Sequence, residues 1–302
     1  MKYILSLCFL FISCQSNQNS RNWTSGIDKI VLEAINNGKV AGISIGIAYG
    51  KNKPYYKGFG KADLEFDVPT PNDAIYEIVN KYGDQIIGLG MVPMQDAGAA
   101  VSELKYCMDI GLRGVEIGTN INGKYLGDDD FRPFWGMVEE LGAVVQIHPV
   151  PGLGGPTNKE YYLWNAFSNP AETALTASHM ILSGLMEEHP ELKIQLFHGG
   201  GHLPYQIGRL DRAYEMRLET SKKISMKPSE YLKMFYFDTI VHSGEALEYL
   251  INLVGAEQVM LGSDYPFDMG SYKLVDMVDK ININEEDKKK IKSENAERLF
   301  QV

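Results

Sequence analysis

From residue 86 onward the chain repeats one pattern: a short apolar run, then a stretch with helical spacing, then another apolar run. The apolar runs fall at residues 86–92, 114–118, 143–147, 194–197, 235–239 and 259–261. Short and mostly apolar, they read as buried strands. Between them, residues 99–108, 131–141, 171–188 and 245–254 place apolar side chains three and four apart, the spacing of a helix with one buried face. A last helix opens at Asn284, an N-cap type, with Glu285, Glu286 and Asp287 in its first turn. Strand–helix alternation of this kind predicts a parallel sheet covered by helices. Six such units sit best in a (β/α)8-type barrel, which needs eight. The expected fold is therefore α/β, an incomplete TIM barrel of about six βα units.

What precedes residue 86 does not supply the missing two. Ile27, Ile30, Val31, Ala34 and Ile35 form a helical stripe that Asn37 and Gly38 end. Residues 41–49 then alternate with period two, 50–54 carry turn residues, and the aromatic-rich Tyr55-Tyr-Lys-Gly-Phe-Gly60 follows, which predicts an antiparallel β-hairpin. Further upstream, Met1 and Lys2 precede an uncharged apolar run over 3–12 that ends in Ser13 and Cys14. This reads as an export signal with a lipobox-type ending, in which Cys14 is lipidated. The expected organisation is a signal at 1–14, a polar tether at 15–23, an N-terminal fragment at 24–78 and the barrel at 79–302. It implies a cell-envelope address with membrane attachment only through the lipid. Without the N-terminal fragment, the barrel would be expected in the cytoplasm.

Charge removes one class of partner. The formal net charge is −10, with no basic run longer than Lys288–Lys290, the opposite of a nucleic-acid footprint. Cys8, Cys14 and Cys107 make neither a disulfide framework nor a zinc spacing.

The chemistry gathers at strand ends, where parallel α/β folds collect it. The run from Ala143 closes on His148, the run from Lys193 on His198 followed by three glycines, and the run from Val259 on Asp264. Singly, each has an ordinary structural explanation: a core histidine, or an aspartate capping a turn. Together they would face one another at one mouth of a barrel. Two imidazoles and a carboxylate suit Zn²⁺ or another divalent ion, and three protein ligands plus water is the catalytic count. Arg209 is a candidate clamp for a substrate carboxylate, or else a surface ion pair with Asp211 or Glu215. Tyr162 and Trp164 are candidate pocket walls, or packing residues. His202 follows His198 by four residues, but a glycine loop gives that spacing no fixed geometry. His179, His189 and His242 read as structural.

Longer motifs add a resemblance. Ile87-Gly-Leu-Gly-Met-Val-Pro-Met-Gln-Asp96, Gly111-Leu-Arg-Gly-Val-Glu-Ile-Gly-Thr-Asn120, Ile147-His148-Pro149, His198-Gly-Gly-Gly201, Leu261-Gly-Ser-Asp-Tyr-Pro266 and Asn295-Ala-Glu-Arg-Leu-Phe300 resemble the amidohydrolase-related family that includes aminocarboxymuconate-semialdehyde decarboxylase. The resemblance covers about residues 79–302 and implies a TIM barrel, one Zn²⁺ and nonoxidative decarboxylation of a small unsaturated or aromatic carboxylate. It implies that His148 and Asp264 are metal ligands and that His198 is the catalytic histidine, which activates water. It implies too that Arg209 binds the substrate carboxylate from a neighbouring subunit, hence a homodimer. The family also takes two ligands from a His-x-His or Glu-x-His pair on its first strand, and this chain has no histidine before His148. Weak metal binding and little turnover are therefore expected.

Residues 24–78 resemble something else, the start of serine β-lactamase-like, penicillin-binding-type hydrolases. The likeness rests on Gly42-Ile-Ser-Ile-Gly-Ile-Ala48, Tyr56-Lys-Gly-Phe-Gly-Lys-Ala-Asp63 and Ile75-Tyr-Glu-Ile78. That family's Ser-x-x-Lys does not follow, and the one at Ser102–Lys105 sits inside a barrel helix. The sequence thus reads as a chimeric chain joined near Ile78, an impaired metal-dependent carboxy-lyase. A non-catalytic envelope lipoprotein from a decayed gene, and a metal-dependent hydrolase of the same superfamily, are the alternatives.

Overall fold

The computed structural model describes residues 23–36, 42–47, 55–63, 68–69, 86–150, 152–153, 158–264 and 267–302. The readings of a signal, a tether and a lipidated Cys14 lie outside the described residues. Among the described residues, no helix is long and apolar enough to cross a membrane. The chain divides into two compact units, Met1–Gly88 and Leu89–Val302.

In the first unit, a helix over Trp23–Asn36 precedes strands β1 (Gly42–Ile47) and β2 (Tyr55–Asp63). They pair antiparallel from Gly42↔Gly60 to Ile47↔Tyr55, the hairpin that the alternation predicts. A third short strand, β3 (Val68–Pro69), joins β2 after a register shift between Lys61 and Asp63.

The second unit holds strands β4 (Gly90–Met91), β5 (Gly114–Gly118), β6 (Asn120–Ile121), β7 (Lys124–Tyr125), β8 (Val144–His148), β9 (Lys193–Leu196), β10 (Phe235–Asp238) and β11 (Val259–Met260). β6 and β7 form a small ribbon of their own. The other six make one sheet in the order β11-β10-β9-β8-β5-β4, and every pair is parallel. Each strand lies beside the next one in the chain, the winding of a (β/α)8 barrel with six of its strands. The fold is the incomplete TIM-type barrel preceded by a helix and a hairpin.

Local chemistry sets the element limits. Helix Ala97–Asp109 starts where Asp96 accepts a hydrogen bond from the Ala99 N–H at 3.0 Å, and it buries Ala100, Leu104 and Cys107 on one stripe. Helix Arg132–Leu141 buries Phe134, Trp135 and Val138, then stops at Gly142, whose φ of +62° is left-handed. Helix Gly244–Val254 is capped by Ser243, and the helix over Glu285–Lys289 by Asn284, as its sequence suggests.

Three elements differ from the sequence reading. The strand expected at 86–92 is only Gly90–Met91. The helix expected over 171–188 is two, Asn169–Leu182 and Leu185–Glu188, because Gly184 between them has φ +82°. A helix over Leu203–Met216, with Pro204 in its first turn, follows the glycine loop where the strand–helix pattern above has no element.

One face of the sheet is fully buried: Val115, Val145, Ile147, Ile194, Leu196, Phe235 and Phe237, which register places on the same side, have no exposed surface. Buried Asn295, which opens the last helix (Asn295–Phe300), donates to the carbonyls of Ala256 (2.7 Å) and Val259 (2.8 Å) and so fastens that helix to β11.

Candidate metal and active site

Parallel pairing brings the carboxyl ends of β8, β9 and β11 to one edge of the sheet. His148 is the last residue of β8, His198 follows β9 by two residues, and Asp264 follows β11 by four. Their donor atoms all lie within 4.8 Å of one another. His148 Nε2 is 4.0 Å from Asp264 Oδ1, and His198 Nε2 is 3.8 Å from Asp264 Oδ2. Those distances are too long for hydrogen bonds. They are close to the spacing of about 3–4 Å that donors take when each sits 2.0–2.2 Å from one shared ion. Two nitrogens and a carboxylate oxygen in that arrangement fit a divalent cation.

Protonation supports the fit at His148. Burial, then the neighbouring His198 charge, push it down to about 4, so its imidazole is neutral with a lone pair to give. At His198 burial pulls the other way from the carboxylates: it would lower the ring, but Asp264 and Asp238 outweigh it and the net direction is upward. One imidazole is thus held neutral while its neighbour stays closer to the range in which it carries a proton.

Packing fixes the rings. Phe267 stacks on His148 at 5.4 Å and 14°, and Phe197 meets it edge-on at 5.1 Å. His198 and Asp264 both have left-handed backbone, at φ +58° and +55°. His198 opens a turn in which Gly199, Gly200 and Gly201 are left-handed too, and a Cβ on Gly201 would stand 1.9 Å from the Pro170 carbonyl oxygen. The glycines serve that close backbone approach.

Below the donors lies a polar layer. Glu116, Gln146 and Gln195 are in register across β5, β8 and β9, and Gln146 shares its face with His148 two residues on. Gln146 Nε2 donates to Gln195 Oε1 at 2.6 Å. Burial, and after it the charge of Asp264, raise the Glu116 carboxyl. Nearby, buried Glu172 accepts from Asn120 Nδ2 (3.1 Å) and the Tyr125 hydroxyl (3.4 Å), tying helix Asn169–Leu182 to the ribbon after β5.

The remaining candidates are not among the three donors. Tyr162 donates to the carboxylate of Asp268, four residues beyond Asp264, at 2.7 Å and packs edge-on against Trp164 at 5.1 Å. Arg209 is exposed on helix Leu203–Met216, while Asp211 accepts from the Ser229 N–H and Glu215 pairs with Arg212 and Lys227. His202 packs on Phe167 at 4.8 Å, and His189 is held by Glu139 at 2.7 Å. Phe267, Glu116 and Asp238 did not stand out in the sequence. Asp238 carries the same mark as Asp264, an acid near the end of an apolar run, but Thr239 extends that run past it and hides the mark.

Comparison with known proteins places this geometry. The amidohydrolase family profile matches residues 45–302, and the chain belongs to that family. It is 39% identical over 201 residues to a 2-amino-3-carboxymuconate-6-semialdehyde decarboxylase of Dictyostelium discoideum, a match covering 66% of this chain and 56% of that protein. The chain thus spans little more than half the length of this relative. The crystal structure of 5-carboxyvanillate decarboxylase from Sphingomonas paucimobilis superposes with a TM-score of 0.71 at 31% identity, over 77% of this chain and 71% of that one. A dihydroxybenzoic acid decarboxylase from Polaromonas sp., solved with bound manganese and the inhibitor 2-nitroresorcinol, matches at 28% identity with a TM-score of 0.67, over 76% of this chain and 73% of that one. The family match starts at residue 45, inside β1, not near 79. The likeness of residues 24–78 to a second family, and the chimera it implied, find no support in these matches. By family the chain is an enzyme, and its relatives are decarboxylases.

Proposed function

We propose that this chain is a metal-dependent carboxy-lyase that removes CO₂ from a small unsaturated or aromatic carboxylic acid. The observation that carries the reading is the convergence of His148, His198 and Asp264 within 4.8 Å at the carboxyl edge of the parallel sheet. Its relatives act on acids of this kind: a carboxymuconate semialdehyde, a carboxyvanillate and a dihydroxybenzoate. A divalent ion bound there would supply charge to polarise the substrate and make nearby water more acidic. His148 and Asp264 would hold it, with His198 as the third donor while its ring is neutral. His198, raised toward the working pH by the carboxylates around it despite its burial, is suited to move the proton. When the carbon–carboxylate bond breaks, its electron pair stays on the substrate carbon, which takes that proton as CO₂ departs.

A mixed nitrogen and oxygen donor set suits Mn²⁺ as well as Zn²⁺. Since no histidine precedes His148, we propose three protein donors, weak binding and slow turnover. Arg209, exposed on its helix, would clamp the substrate carboxylate of a second copy. Tyr162 and Trp164 would wall the entrance. The test is CO₂ release from 2-amino-3-carboxymuconate-6-semialdehyde and from 2,6-dihydroxybenzoate by protein loaded with Mn²⁺ or Zn²⁺, with His148→Ala alongside. Release that disappears in the variant supports the reading. Protein that holds metal yet releases no CO₂ from either acid overturns it.

A further inference from the structure

We infer that Asp238 is a positioning residue: it sets the direction of His198 by gripping the backbone of the turn that carries it. The inference rests on the proposal that His148, His198 and Asp264 form a metal site, and it concerns how the site is held in shape.

Asp238 closes β10, the strand between β9, which leads to His198, and β11, which leads to Asp264. It has no exposed surface. Its Oδ2 accepts from the His198 N–H at 2.9 Å, and its Oδ1 accepts from the N–H groups of Gly199 at 2.8 Å and Ile240 at 3.0 Å. Both oxygens are therefore used as acceptors, two of the three bonds going to the neighbouring loop. The next residue repeats the device on the other side. Thr239, also fully buried, accepts from the Gly262 N–H at 3.2 Å, two residues before Asp264.

A tether is needed here because the turn is unfavourable by itself. His198 and Gly199 stand at φ +58° and +59°, a backbone that strains a non-glycine residue. Carboxylate bonds to consecutive N–H groups offset that strain and select the one backbone from which the imidazole reaches Asp264. Asp238 bonds the backbone of His198 rather than its ring, so its action passes through His198.

Asp238→Asn isolates this action. The amide keeps the shape but replaces one acceptor with a donor, which then confronts an N–H of the turn. The measurement is Mn²⁺ affinity of the full chain, read from the free-ion EPR signal. Asp238→Asn should weaken binding about 10–100-fold, the usual effect of disturbing a group that orients a metal ligand. In a His198→Ala background it should cost less than about 2-fold more, since the ring it directs is gone. His148→Ala serves as the control for the metal reading, and thermal melting checks that each variant folds. Thr239→Val is the control on the other loop: acting on the Asp264 side, it should keep its full effect in the His198→Ala background. If Asp238→Asn does not fold, Asp238→Glu, which keeps both acceptors but displaces them by one methylene, is compared in the two backgrounds instead: a loss of affinity with His198 present and none without it sustains the tether, and equal losses overturn it. Equal losses for Asp238→Asn in both backgrounds, or none in the wild-type background while His148→Ala does lose affinity, overturn the inference and leave the metal site standing. A wild type that holds no Mn²⁺ overturns both.

Discussion

His198 and Asp264 are the two donors whose backbone is left-handed, a conformation few side-chain-bearing residues adopt. Such strain persists where surrounding structure overrides it, which makes it informative about function. Glycine tolerates this region freely, so His198→Gly should be more stable than His198→Ala by about 1 kcal/mol in urea unfolding, although neither can serve as a ligand. Equal stabilities would mean that the turn stores no strain. A second residue-level expectation concerns pH. The carboxylate of Glu187 accepts from the hydroxyl of buried Tyr231 and from the Ser225 N–H at 2.7 Å, and these two donors hold its pKa below the ordinary value. A carboxyl depressed in the folded state adds stability above its unfolded pKa, about 4.3, and that stability is lost as pH falls through the lower folded value. Tyr231→Phe should therefore lower the melting temperature by about 2–4 °C at pH 7, and the difference should fade below about pH 4. A difference that stays constant from pH 7 to pH 3 would assign the loss to packing alone. At this scale the donors were legible because each closes an apolar run. Phe267 was not, since its stacking on His148 depends on how the chain turns after Asp264.

At the level of elements, apolar periodicity located the strands and most helices of the second unit but not their lengths. A strand ends where its neighbour's hydrogen bonds end, and register is a property of the pair: β4 keeps only Gly90 and Met91 because those alone pair with β5. Helix limits were legible where a cap marks them, as at Asn284, and hidden where a glycine breaks an otherwise unbroken stripe, as at Gly184. Asn295 shows what an element's first residue can do beyond capping. With no exposed surface, it satisfies two carbonyls around β11, the strand whose continuation carries Asp264. Asn295→Leu keeps the volume but removes both side-chain donors; the Ala256 carbonyl keeps its bond from the Val259 N–H while the Val259 carbonyl loses its amide partner, so a loss of about 1–3 kcal/mol is expected in chemical denaturation. Mn²⁺ affinity should fall with it, because β11 is no longer fastened. Full stability in this variant would show that water reaches those carbonyls.

At the scale of the molecule, the donors come from positions 148, 198 and 264, separated by whole βα units, and meet only when the sheet has wound. The winding was legible from alternation alone. The span of family likeness was not: the match reaches back to residue 45, where the sequence shows a hairpin and no histidine. Because the site is assembled from distant segments, an ion bound there binds the folded chain and not the unfolded one, and its binding free energy adds to stability. At free Mn²⁺ one hundred times the dissociation constant the gain is about 2.7 kcal/mol. For a chain of this size that raises the melting temperature by roughly 5–10 °C over protein stripped with EDTA. His148→Ala, losing one of three donors, should reduce the shift to under about 2 °C at the same Mn²⁺ concentration. Wild-type protein that melts identically with EDTA and with Mn²⁺, at concentrations where EPR shows the ion bound, would mean that the ion binds the unfolded chain equally well. The three strand ends would then not be what holds it.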